Sequence, residues 1–282
     1  MNYSPRFVWV LLVFFANTFL FAQGKLFIIG GGKRPPHLLQ RLITEAGVDK
    51  KGYIVIIPMA SSEQDSSIFY AKKQFVDRGI TNVTGFMMQK GEILTPNIMD
   101  SIANASMIYI AGGDQQKLMD IISGTDVERV IRKCYAKGNV IAGTSAGAAV
   151  MSEKMLTGVE LKHFETTEDS EKQGFQTIEA NNIEIKSGLG FLKESIVDQH
   201  FIKRKRQNRL IAVAIENPEV ACVGIDEATA ILVKNGEAEV VGDSQVLYVL
   251  SNDKDYKTVN GKLGAKNLQM HLYVAGDKFK IK

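Results

Sequence analysis

Apolar residues along this chain fall into short unbroken runs, separated by stretches in which they recur at helical spacing. Residues 25–29, 53–58, 83–88 and 107–111 are such runs, and they read as strands covered on both faces, as in a parallel sheet. Between them, residues 37–46, 61–78 and 96–103 repeat apolar positions with the period of one helix face. In 61–78 that inward face comprises Ile68, Phe69, Ala71, Phe75 and Val76, and Pro96 suits the start of its helix. Further helices are expected at 116–122 and 127–136, and a buried strand at 140–142. Strand and helix alternate with short connections, which argues for an α/β fold built on a doubly wound, mostly parallel sheet.

The pattern loosens after Met155. Residues 162–173 are polar and acidic with little periodicity, and read either as an exposed insertion or as a lid over the crevice. A strand returns at 195–198 and runs into Gln199 and His200. From Phe201 the spacing is helical, with Phe201, Leu210, Ile211, Val213, Ala214 and Ile215 inward. Strand runs follow at 220–225, 230–233, 238–241, 245–250 and 268–275, with Asn235 and Gly236 as a hairpin turn. Antiparallel strands are therefore appended at the C-terminal end.

Residues 1–22 stand apart. Arg6 is their only charge, 7–21 are nearly all apolar, and Ala22 precedes a polar break at Gln23. This is the pattern of a secretory signal peptide cleaved before Gln23. An uncleaved anchor is the competing reading, but Asn17 and Thr18 interrupt an apolar run already short for a span. The expected organisation is thus a signal peptide, 1–22, and one α/β domain, 23–282, exported to the periplasm or medium and free of the membrane after cleavage. Export permits disulfides, yet only Cys134 and Cys222 are present. Both lie in core-like patterns, and whether they pair is open. The 34 basic and 31 acidic residues leave a formal charge of +3, too small and dispersed for a nucleic-acid partner.

Candidate chemistry centres on residues 140–151. Gly143, Ser145 and Gly147 have the G-x-S-x-G spacing of a nucleophile elbow, in which a strand turns sharply into a helix and lifts the serine hydroxyl clear. The free N–H groups at the start of that helix would face an oxyanion. A glycine-rich turn in which Ser145 only caps the helix has the same spacing. At the end of the 107–111 run, Gly112 and Gly113 can turn the backbone so that an N–H faces the same crevice, a second donor beside that of Ala146; equally, they start the next helix with Asp114 as its cap. A serine needs a base, usually a histidine oriented by a carboxylate. Of His37, His163, His200 and His271, only His200 ends a core strand on the rim where Ser145 emerges, and Glu227 follows the 220–225 strand closely enough to orient it. Asp226 would point to the other face. Arg204, Arg206 and Arg209 lie just beyond His200, as a solvated basic face or as a clamp for an anionic substrate. Gly30, Gly31 and Gly32 follow the first strand, but Pro35 and Pro36 stand where a dinucleotide fingerprint needs glycine, and no phosphate-loop Lys-Ser/Thr pair follows. They read as a tight turn lining a cleft. The histidines are scattered, so neither a metal nor another cofactor is expected.

Together, residues 112–115, 143–149, 198–201 with Arg204, Arg206 and Arg209, and 224–227 resemble the serine peptidase family that contains cyanophycinase and peptidase E. That resemblance implies a three-layer fold like that of class I glutamine amidotransferases. It implies Ser145 as nucleophile, His200 as base, Glu227 as its orienter, and Gly113 and Ala146 as oxyanion donors. Gln115, Asp198, Gln199 and the three arginines would shape the substrate pocket. Residues 198–201 with the trailing arginines look closer to the cyanophycinase branch, which cleaves a poly-aspartate backbone carrying arginine on its side-chain carboxyls into β-Asp-Arg dipeptides. The sequence at 30–36 departs from that branch, where an acidic residue is common after the glycines. A dipeptidase or β-aspartyl peptidase acting on short Asp-X peptides and a binding protein without turnover are the competing functions. Dimerisation is implied by the resemblance alone.

Overall fold

A computed structural model of the chain describes residues 23–162 and 175–281. The expected signal peptide, His163 and nearly all of the acidic stretch lie outside the described residues. Five strands, β1 (Lys25–Ile29), β2 (Ile54–Ile57), β3 (Val83–Gly85), β4 (Met107–Ile110) and β5 (Val140–Thr144), alternate with helices. The helices are α1 (Pro36–Ala46), α2 (Gln64–Val76), α3 (Pro96–Ala103), α4 (Gln115–Ile122) and α5 (Asp126–Ala136). These strands pair in parallel, in the order β1-β5-β4-β2-β3.

Strand residues alternate between two cores. Phe27, Ile29, Ile56 and Tyr109 face α1 and α2; Leu26, Ile28, Ile57, Ile108 and Ile110 face α3, α4 and α5. Because both faces are covered, nearly every position had to be apolar, which is why the strands appear in the sequence as unbroken runs. Each fully buried Leu or Ile contributes roughly 1.5–3 kcal/mol. The inward face expected for α2 is narrower than its composition suggests: Ala71 and Phe75 are buried, but Phe69 is 62% exposed and Val76 is exposed as well. Consecutive apolar residues on a helix cannot all face one way.

After β5 comes a single helical turn, α6 (Ala146–Ala149). The loosened region contains a hairpin, β6 (Lys154–Glu160) with β7 (Ile183–Ser187), bulged between Leu156 and Glu160. Its polar outer face and irregular register hid it from periodicity. Next come β8 (Ser195–Asp198), α7 (Gln207–Glu216), β9 (Ala221–Ile225), β10 (Thr229–Lys234), β11 (Glu237–Gly242) and β12 (Val246–Ser251). The last helix begins at Gln207 rather than Phe201, since 201–205 form a turn. Ile211 is only half buried. Small strands β13 (Lys257–Val259) and β14 (Lys262–Gly264) pair with each other, β15 (Leu268–Tyr273) ends earlier than expected, and β16 (Lys278–Lys280) follows.

The appended strands divide. β10, β11 and β16 extend the central sheet antiparallel from β1. β8, β9, β12 and β15 form a second sheet in the order β15-β12-β9-β8, which packs through Val197, Val223, Ile225 and Val246 into the core that also holds α4 and α5. The sequence implies that the strand leading to His200 shares the sheet that carries Ser145; it lies instead in the second sheet. The chain passes from one sheet to the other between β9 and β10, at residues 226–228.

Candidate active site

Ser145 stands where β5 meets α6, at φ 54° and ψ −112°. A non-glycine residue held there is strained, and the surroundings over-determine it. Its N–H donates to the Ile29 carbonyl (3.1 Å), while its own carbonyl accepts from the N–H groups of Ala148 and Ala149. The elbow's glycines permit this close approach. A Cβ at Gly143 would lie 2.1 Å from the Gly147 carbonyl oxygen, and one at Gly147 would lie 2.3 Å from that of Ile110. Ser145 makes no side-chain capping bond, so the turn is not explained by a capping role.

The second sheet brings the partners. The His200 N–H donates to the Gly30 carbonyl (2.7 Å), which draws the chain just past β8 onto the end of β1. Its ring lies between two groups: Nε2 is 2.9 Å from Ser145 Oγ, and Nδ1 is 2.7 Å from Glu227 Oε1. Glu227 occupies the crossing between the sheets. A neutral imidazole with its proton on Nδ1 donates to Glu227 and accepts from the Ser145 hydroxyl, the arrangement needed to take a proton from serine. Burial pushes the His200 imidazole below its usual 6.5; the Glu227 hydrogen bond opposes this, and the charges of Arg204 and Arg206 add to it. The ring is therefore neutral at pH 7 and able to act as a base.

The N–H groups of Gly113 and Ala146 make no bond to a backbone acceptor among the described residues. Gly112 packs against the serine, and a Cβ there would lie 3.3 Å from Ser145 Cβ. Asp114 caps α4 by accepting from the Gln116 and Lys117 N–H groups, so Gly112 and Gly113 lead into a helix as well as flank the hydroxyl. The helix after the elbow is one turn long, so its macrodipole is slight, and a donor role for Ala146 rests on its own N–H.

The expected clamp is not a single surface. Asp198 is fully buried and binds Arg209 through both carboxylate oxygens, the Nε bond being 2.7 Å. Arg206 donates to the Gln199 carbonyl (2.6 Å), to the Gln199 side chain and to Asp198. Burial alone would raise the Asp198 carboxyl, but Arg209, then Arg206 and the Gln199 N–H, outweigh it and hold it below the carboxylate range. Arg209, 2% exposed, also lies over the Phe175 ring. The reading of Arg206 and Arg209 as open clamp residues is corrected accordingly: two buried guanidiniums are what allow a buried carboxylate. Gln115 donates to the Leu156 and Thr157 carbonyls and is buried. Arg204 is half buried in the turn after His200 and acts on the imidazole through its charge.

Two features escaped the sequence. Asp226 accepts from the Ile202 and Lys203 N–H groups (3.0 and 2.9 Å) and from the Ser244 hydroxyl (2.7 Å), so it fastens the turn that carries His200. Gly31 and Gly32 are the floor beneath the ring and its carboxylate. A Cβ at Gly31 would lie 2.4 Å from His200 Cε1, and one at Gly32 2.6 Å from Glu227 Oε2. The glycine run after β1 does line the cleft, and its purpose is to let imidazole and carboxylate approach. Among the described residues no cluster of metal-ligating side chains occurs.

Comparisons with known proteins place the chain in a family. The model of peptidase family S51 matches residues 26–241. Curated relatives include the cyanophycinase of Trichormus variabilis, 30% identical over 90% of this chain and 84% of that one. That of Geminocystis herdmanii is 30% identical over 93% and 95%. Among solved structures, a peptidase from an acI-B1 Actinobacterium superposes with a TM-score of 0.65 at 22% identity, covering 93% of this chain and 98% of that one. A putative peptidase E protein from Listeria monocytogenes reaches 0.54 at 18% identity, covering 79% and 100%. These two likenesses speak for the fold. A match across most of the length, with relatives at 30% identity, shows that the chain belongs to peptidase family S51.

Proposed function

We propose that the chain is an exported serine peptidase that hydrolyses cyanophycin to β-Asp-Arg dipeptides through an acyl-enzyme. The observation that carries the serine chemistry is the line Ser145 Oγ, His200, Glu227, with both ring nitrogens within hydrogen-bond reach of their partners. Ser145 Oγ attacks the scissile carbonyl carbon as His200 Nε2 takes its proton, and Glu227 stabilises the imidazolium. The oxyanion forms against the N–H groups of Gly113 and Ala146. Collapse breaks the C–N bond, and His200 gives the proton to the leaving amine. Water activated by the same imidazole then releases the acid and restores the hydroxyl. The choice of cyanophycin draws support from relatives that carry the name cyanophycinase, and export from the composition of residues 1–22.

One preparation tests the reading. Chain expressed with residues 1–22 and recovered from the export compartment is expected to begin at Gln23, to be labelled by a fluorophosphonate at Ser145, and to release β-Asp-Arg from the polymer. Ser145→Ala loses both label and product. A retained leader removes cleavage before Gln23, failure to recover the chain from that compartment removes export, absent labelling removes the serine mechanism, and a labelled enzyme that cuts Asp-X dipeptides but not the polymer removes cyanophycin.

A further inference from the structure

Beside Ser145, on the α1/α2 side of the central sheet, is a cavity of about 210 Å³. Its wall includes Gly31, Gly112 and Ser145 at the strand ends, Tyr109 and Thr144 from the sheet, and Arg34 from the loop before α1. The size suits one side chain or chain end rather than a long ligand.

Its polar side chains are a guanidinium and hydroxyls. Tyr109 is 1% exposed and Thr144 6% exposed, and neither hydroxyl has a hydrogen-bond partner. Leaving a buried polar group unsatisfied costs about 1–3 kcal/mol, so two on one cavity wall mark a place completed by a hydrogen-bonding partner. Arg34 supplies the charge. Its Nε donates to Gln74 Oε1 (2.7 Å) and its Nη1 to the Gly32 carbonyl (3.2 Å). These bonds hold the guanidinium at the cavity, and among the described residues no carboxylate pairs with it. The other end of the Gln74 amide, Nε2, is also buried without a partner. No Asp or Glu lines the cavity. The Glu227 carboxylate, against Gly32, is already bonded to His200. A guanidinium fork beside unpartnered hydroxyls is a side-chain set suited to a carboxylate.

We propose that Arg34, Tyr109 and Thr144 form a carboxylate-binding subsite that holds an acidic group of the substrate next to the bond Ser145 attacks. This rests on the hydrolase reading for its purpose and goes beyond it in naming the group recognised. The anion is either an acidic side chain flanking the scissile bond or the α-carboxylate of an arginine joined to the polymer through its amine. Tyr70, 70% exposed on α2, also lines the cavity and adds an aromatic ring to it.

Calorimetric titration with the α-amide of N-acetyl-aspartate and with its neutral isostere, the α-amide of N-acetyl-asparagine, reads the subsite without turnover. The acid is expected to bind at least about tenfold more tightly. Arg34→Met is expected to abolish that preference. Tyr109→Phe, which keeps the ring against Phe75, is expected to weaken binding of the acid several-fold. Equal affinities in the native protein, no binding of the acid at millimolar concentration, or a preference that survives Arg34→Met each overturn the proposal. β-Aspartyl-arginine and its arginine amide separate the sources: a tenfold loss on amidation assigns the anion to the arginine carboxylate, and tight binding of both forms assigns it to the aspartyl residue. Fluorophosphonate labelling of the native chain runs beside these titrations. A labelled Ser145 with no acid preference removes the subsite and leaves the hydrolase, whereas acid preference without labelling removes the hydrolase and leaves the subsite.

Discussion

His200 is gripped at both ring nitrogens and by its backbone N–H, and its protonation follows from where these bonds place it. Burial disfavours the imidazolium more than Glu227 favours it, and Arg204 adds to the effect. In the proposed reaction only the neutral ring accepts the serine proton, so activity falls when pH drops through a pKa lying below 6.5. The acid limb of a kcat/KM profile is expected there, and a limb above 6.5 would contradict the burial argument. Arg204→Gln removes a positive charge that lowers the value, so the limb moves up toward 6.5. Glu227→Gln leaves the ring in place without its ionised orienter, and a loss of roughly 10⁴-fold in kcat is the scale for such a change. Asp226, one position away, holds the backbone turn instead; its removal is a matter of where the ring sits.

At the scale of elements, the elbow depends on how closely α6 can lie on β4 and β5. Gly147→Ala puts a methyl group 2.3 Å from the Ile110 carbonyl oxygen, and backbone cannot step aside as a flexible side chain does. A loss of about 1–3 kcal/mol is expected, read as a lower denaturation midpoint; an unchanged midpoint would show the packing to be looser. The elbow and the strands around it were legible because their requirements are local: small residues for close approach, unbroken apolar runs for two-sided burial. His200 and Glu227 were legible as strand-end residues, but not the fact that they arrive from a second sheet, since a strand's sequence does not reveal which sheet accepts it. The hairpin β6–β7 was missed because its bulge breaks the alternation. The arginines after His200 read as a solvated face or a substrate clamp because nothing in their spacing disclosed that Asp198 is buried against Arg206 and Arg209. Arg34 drew no attention in a loop dominated by glycine and proline; its significance appears only once Tyr109 and Thr144 are brought beside it.

The whole molecule is held together by its cores, with no covalent link among the described residues. Cys134 and Cys222 are both free and buried. Burial pushes the Cys134 thiol up to about 11, and that of Cys222 higher still. Neither thiol reacts readily at neutral pH. Ellman's reagent is therefore expected to find no reactive thiol in the native protein and both in denaturant, and dithiothreitol should leave the thermal midpoint unchanged; a missing pair of thiols after unfolding would reveal a bridge. The crossing from β9 to β10 carries Glu227 between two sheets, and that position orders events in time. A growing chain displays the serine 55 residues before the histidine and the carboxylate 27 residues later again. Even then, the three do not meet until the second sheet has docked against the first. In the proposed mechanism, a chain whose second sheet has yet to dock carries an isolated alcohol, and the capacity to cut peptide bonds is completed only when the two sheets meet.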